Sequence, residues 1–150
     1  MAMVELVTKR GYDFYEVASA FQKAIRRGDG RLAAYWALEL YDTTEFNWRR
    51  YVWKRLHIIA CEDIADPISK EIEALEQSHD LVNKGMEKEE RKPGRLMLVK
   101  ATLLAAAANK CRDADHLIVL VYEQNTIPPE ELRADLAAAK DTLEEIPDSL

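Results

Sequence analysis

The chain has 150 residues, 48% hydrophobic and 32% charged, with five Gly and five Pro. That is one ordinary domain's worth of chain, and the composition excludes collagenous, low-complexity and wholly disordered proteins. A formal net charge of −6 argues against a protein that coats nucleic acid indiscriminately.

The longest uncharged stretch, 101–109, is about half the roughly 20 residues a membrane-spanning helix requires. With no apolar signal core over 1–10, the expectation is a cytoplasmic protein without a membrane partner. Charge is polarised along the chain: residues 9–57 hold ten Lys/Arg against six Asp/Glu, a net of +4, and residues 113–150 hold two against ten, a net of −8. Cys61 and Cys111 stand far apart in no CxxC arrangement, which suits a reducing compartment.

Apolar residues recur at helical spacing almost throughout, which predicts an all-α fold of six to seven helices in a single domain, 1–150, with 128–150 as an acidic C-terminal helix or tail. Asp13 and Glu16 form a capping pair that opens a first helix to about Arg27, with Phe14, Val17, Phe21 and Ile25 on one face and Gly28 as its stop. Asp29 or Gly30 starts a second helix through Leu32, Tyr35, Trp36 and Leu40. Thr44 caps a longer third helix to about Ala65, and Asp66-Pro67 then seats Pro67 in the first turn of a fourth, which carries Ile68, Ile72, Leu75 and Val82. Residues 85–94 read as a solvated connection. A fifth helix spans about Arg95–Lys110, where Ala101–Ala108 lets a neighbour approach closely. A sixth follows Asp113, and Pro128-Pro129 marks the boundary before a last helix with Leu132, Leu136, Ala139 and Leu143.

No GxxxxGK[ST], GxGxxG or GxSxG occurs, so no nucleotide hydrolysis, bound cofactor or catalytic serine is expected. His57 and Cys61 lie four apart on one helical face, and Cys111 and His116 could complete a tetrahedral metal set. His57 and Cys61 share their side with Arg50 and Lys54, however, opposite a Trp48, Val52, Leu56 and Ile59 stripe, and added cations disfavour Zn²⁺. Glu76-x-x-His79 and Asp113-x-x-His116 place a carboxylate and a histidine three apart, as in di-iron bundles. His79 falls on an apolar stripe, where a core histidine satisfied by a hydrogen bond is the simpler reading. Non-enzymatic function is the expectation, with no metal site.

Eleven of the twelve aromatic residues lie between Tyr12 and Trp53, interleaved with the basic excess. Such mixing can make a stacking surface for single-stranded nucleic acid. Phe14, Phe21, Trp36 and Trp48 sit at core spacing, whereas Trp53 lies off the main stripe and is expected to meet a partner. Direct DNA binding requires Lys23, Arg26, Arg27, Arg31, Arg49, Arg50 and Lys54 to converge on one surface; a helical metal-dependent hydrolase requires the three histidines to converge in one pocket.

Tyr12-Asp13, SAFQKAIRRGD (19–29), AAYWALEL (33–40) and KRLHIIACEDIADP (54–67) resemble, in order and spacing, the replication-associated recombination ATPase family of the AAA+ class. RKPGRLMLVKATLLAAAANKCRDAD (91–115) is similar to that family's glycine turn and Ala/Leu helix. Ser19, Lys23, Arg26, Asp29, Tyr35, Trp36, Arg55, Glu62, Asp63, Asp66 and Pro67 fall on motif positions, and Cys61 falls where the family has a serine.

The resemblance implies a clamp-loader-like helical C-terminal domain without the ATPase module, of the type that gathers subunits into a ring or tetramer. Its implied partners are further copies of itself, a family ATPase or another replication protein, and weakly bound DNA. Glu62 and Asp63 end the third helix, where the helix dipole disfavours carboxylates, so at least one is expected to pair with an arginine of another helix, Arg26 or Arg31.

Overall fold

A computed structural model describes residues 6–43, 48–86, 93–124 and 127–144, with residues 48, 49 and 140–144 by backbone alone. Seven α-helices occur among the described residues: α1 (Phe14–Arg26), α2 (Gly30–Asp42), α3 (Trp48–Glu62), α4 (Ser69–Asn83), α5 (Gly94–Ala107), α6 (Asp113–Ile118) and α7 (Pro129–Glu144). A π-helical turn, Val119–Glu123, continues α6. The all-α expectation holds; the described residues contain two isolated β-bridges, Val7 with Asp13 and Ile64 with Lys110, and no strand. No described helix is long and apolar enough to cross a membrane.

Two compact units are present, Met1–Arg112 and Asp113–Leu150. In the first, α2 and α5 are central: α2 packs on α1, α3 and α5, and α5 also packs on α4, α1 and α3. The small residues of α5 make this possible. Ala101, Thr102, Ala105 and Ala106 are buried, so the close approach they permit is used inside the unit. Phe21, Ile25, Leu40, Leu56, Ile59, Ile72 and Leu98 fill the core between these helices.

Local chemistry sets the helix ends. The Asp13 carboxylate accepts from the Glu16 amide, and Asp29 does the same for Leu32 at the start of α2. Between those helices Gly28 has φ +75°, with its N–H donating to the Ile25 carbonyl and the Asp29 N–H to Ala24. This is a Schellman turn, whose left-handed residue favours glycine. Thr44 lies outside the described residues. Pro67 precedes the N-cap residue Ile68 instead of occupying the first turn of α4: the Ile68 N–H bonds the Asp66 carbonyl, and this bend delays the helix to Ser69. Residues 87–92 of the expected connection are outside the described residues.

Trp53 corrects another expectation. It is 2% exposed, with its ring 5.4 Å from that of His79. Helix α3 meets α2, α4 and α5, so its buried face is wider than one stripe and takes in Val52, Trp53, Leu56, Ile59 and Ala60.

In the second unit no described residue from 113 to 139 is buried. Leu117, Ile118, Leu120, Tyr122, Leu132 and Leu136 are between 44% and 82% exposed.

Candidate functional site

Helices α1 and α3 share little close backbone contact, and a groove of about 390 Å³ is lined by their facing side chains. Tyr15, Ser19, Gln22 and Arg26 recur on α1 at intervals of three or four residues. Tyr51, Arg55 and Glu62 recur at helical spacing on α3, and Ala18, Lys23 and Arg112 complete the lining.

The floor is an ionic network around Asp63, which is wholly buried. Gln22 Nε2 donates to Glu62 Oε2 at 2.7 Å and to Asp63 Oδ2 at 3.0 Å, while its own carbonyl oxygen accepts from Arg55. Arg26 Nη2 donates to Asp63 Oδ2 at 3.4 Å, and Arg112 Nε donates to Oδ1 at 3.1 Å. Arg26 Nε lies 3.4 Å from Oδ1 without hydrogen-bond geometry.

Arg112 reaches Asp63 because the chain after α5 pairs with the chain after α3: the Ala65 N–H donates to the Asn109 carbonyl and the Cys111 N–H to that of Asp63, both at 2.8 Å. Lys110 secures the same segment by donating to the carbonyls of Ala106 and Ala108 at the end of α5. Burial holds its ammonium below the ordinary lysine value, partly opposed by Asp66 and Asp63.

The expected pairing of the α3 carboxylates is therefore present with Arg26, while Glu62 takes a glutamine. Arg31 lies elsewhere, lining a separate hollow with Asp29, Leu32 and Tyr35. Five of the resemblance residues, Ser19, Lys23, Arg26, Arg55 and Glu62, line the groove, and Asp63 lies beneath it. Asp29 is a helix cap, and Tyr35 and Trp36 belong to an aromatic cluster with Tyr12.

Of the seven cations proposed for DNA, Lys23 and Arg26 line the groove, and Arg27 lines an adjoining hollow with Tyr15, Glu16, Ser19, Ala20 and Lys23. Arg50 and Lys54 are exposed on α3 outside that lining. The side chain of Arg49, like that of Trp48, is outside the described residues.

Sequence reasoning missed Tyr15, Gln22, Tyr51 and Arg112. For the first three the signal was available, since each shares a helical face with a motif residue; Arg112 is placed only by the pairing of two distant segments.

The histidines are separated by their partners. His57 Nε2 is 2.6 Å from Glu76 Oε2 on the outer side of α3 and α4. His79 is a core histidine satisfied as expected: Nε2 lies 2.8 Å from the Tyr41 hydroxyl and Nδ1 lies 2.9 Å from Asp80 Oδ1. Asn83 Nδ2 also donates to Tyr41 at 3.0 Å. Among the described residues no group of three or more His, Cys, Asp or Glu side chains is placed to hold a metal ion.

A second ionic site fastens the segment before α1. Fully buried Glu39 accepts from the Arg10 amide at 2.7 Å and from Arg10 Nη1 at 2.6 Å. Burial raises the Glu39 carboxyl, but hydrogen bonds from the Arg10 amide, Thr8 and the Arg10 guanidinium outweigh it and hold the group below its ordinary value. Neither a family model nor a curated protein matches this chain.

Proposed function

We propose that the chain is a non-catalytic oligomerisation and protein-interaction module related to the ATPases of DNA replication or repair. The observation that carries the reading is the exposed apolar side chains between Leu117 and Leu136. A helix as short as six-residue α6 is marginal unless an amphipathic face is packed, yet six large apolar side chains of α6, the turn after it and α7 are exposed. Covering the exposed part of each contributes at most about 1.5–3 kcal/mol, and further copies of the chain are the cover this reading takes. The link to replication rests on the resemblance, supported by the gathering of Ser19, Lys23, Arg26, Arg55 and Glu62 around one groove.

Light scattering of the purified chain, alone and mixed with an ATPase of that family from the same cell, tests the proposal. Self-association alone or co-elution at a larger mass is expected; elution of both proteins unchanged, with this chain at its 17.2 kDa monomer mass, overturns it.

Weak DNA binding is a second reading, favoured by the adjacency of Lys23, Arg26 and Arg27. Each phosphate neutralised contributes about −0.9 to the slope of log K against log salt on duplex DNA.

A further inference from the structure

We infer that the groove between α1 and α3 is a binding site for a nucleoside phosphate monoester. Lys23, Arg26 and Arg55, together with Arg112, line it against Glu62 on the wall and Asp63 on the floor, and Lys23, Arg26 and Arg55 alone outnumber those two carboxylates on a protein whose net charge is −6. The adjoining hollow adds Arg27 and Glu16, which cancel. Lys23 forms no ion pair among the described residues and is exposed at the rim.

The guanidiniums of Arg26 and Arg55 each carry five N–H donors, of which the network uses one apiece. Asp63 is already occupied by Gln22, Arg26 and Arg112, so the remaining donors of Arg26 and Arg55 are left for a further acceptor at the groove. A phosphate monoester carries close to two negative charges at neutral pH and three acceptor oxygens, which matches both the charge excess and the fork geometry of arginine.

Aromatic walls extend the site beyond the phosphate. Tyr15 and Tyr51 both line the groove, and the buried Phe14 ring braces them, with centroids 5.4 Å and 4.9 Å away. Rings held in this way offer a stacking surface that is indifferent to base identity. The volume of about 390 Å³ suits a small ligand of this kind. The inference is independent of assembly, because every residue involved belongs to the first unit of one chain.

Calorimetric titration of the full chain at low salt with deoxyadenosine monophosphate tests it, alongside deoxyadenosine, inorganic phosphate, a phosphotyrosine peptide, and a short oligothymidylate with either a 5′-phosphate or a 5′-hydroxyl. Saturable binding of the monophosphate is expected, with deoxyadenosine and inorganic phosphate each at least about tenfold weaker. Lys23→Ala and Arg55→Ala are each expected to weaken it about tenfold, as for one charge-assisted hydrogen bond, while Lys54→Ala leaves it unchanged. Lys23 is exposed, so its variant remains folded.

Preference for the 5′-phosphorylated strand over its 5′-hydroxyl form would identify a strand end as the source of the ligand; binding of the mononucleotide alone would identify a free nucleotide. Absence of saturable binding, equal binding of deoxyadenosine, preference for the phosphopeptide, or indifference to Lys23→Ala would overturn the assignment.

Discussion

Asp63 at the end of α3 and Arg26 at the end of α1 form an ion pair at the floor of the groove between those two helices. The carboxylate is wholly buried and the arginine about one-third exposed, so the acid is the partner that depends on the pair. Asp63→Asn removes the charge that Arg26 and Arg112 share, and one amide cannot accept from all three donors. A loss of about 1–3 kcal/mol is expected, against roughly 0.5 kcal/mol or less for the exposed Glu73→Gln. Urea denaturation of the full chain checks this, and an unchanged midpoint would reject it.

Gly94 begins α5 directly against the Tyr41–His79–Asn83 network. A Cβ there would stand 2.4 Å from Asn83 Nδ2 and 2.6 Å from His79 Cδ2, and both groups are held by hydrogen bonds in the core. Gly94→Ala is expected to lower stability by about 1–3 kcal/mol through overpacking. Tyr41→Phe, which removes the shared hydroxyl, should cost a similar amount. Thermal melting of both variants is the check; a neutral Gly94→Ala would mean the network yields easily.

Stability at acid pH should depend on Glu39. Its folded value is depressed by the Arg10 contacts, so the contribution is fully present above the unfolded-chain value of 4.5 and is lost as pH falls through the lower folded value. Glu39→Gln should reduce stability at neutral pH and flatten the acid limb. An acid limb with the same slope in native and variant proteins would contradict this.

Legibility in the sequence followed the range of the interaction. Asp13, Asp29 and Gly28 were readable because capping and left-handed turns involve residues within a few positions. The Asp63–Arg26 pair was readable from the unfavourable position of a carboxylate at a helix C-terminus, which demands compensation from elsewhere.

Trp53 was misread because a helical wheel assumes one buried face, whereas α3 is enclosed by three helices. Arg10 with Glu39, and Arg112 with Asp63, are 29 and 49 residues apart. No local pattern encodes such pairings, although a glutamate inside the apolar run AAYWALELY was a sign that a buried partner was needed.

Trp53→Ala separates a core role from a docking role. With its ring buried against His79, truncation should cost about 3–5 kcal/mol and lower the melting temperature at every protein concentration. A variant as stable as the native chain would return Trp53 to the surface.

Association is tested most directly by sedimentation equilibrium of the full chain and its Leu132→Lys/Leu136→Lys form at tens of micromolar. Both side chains are exposed, so the substitutions leave the fold of the first unit intact. The expected result is a native mass that is a whole multiple of 17.2 kDa, reduced toward the monomer in the double variant. A native chain that remains at 17.2 kDa at all concentrations, or a multimer indifferent to the two lysines, would contradict assembly through the exposed apolar side chains between Leu117 and Leu136.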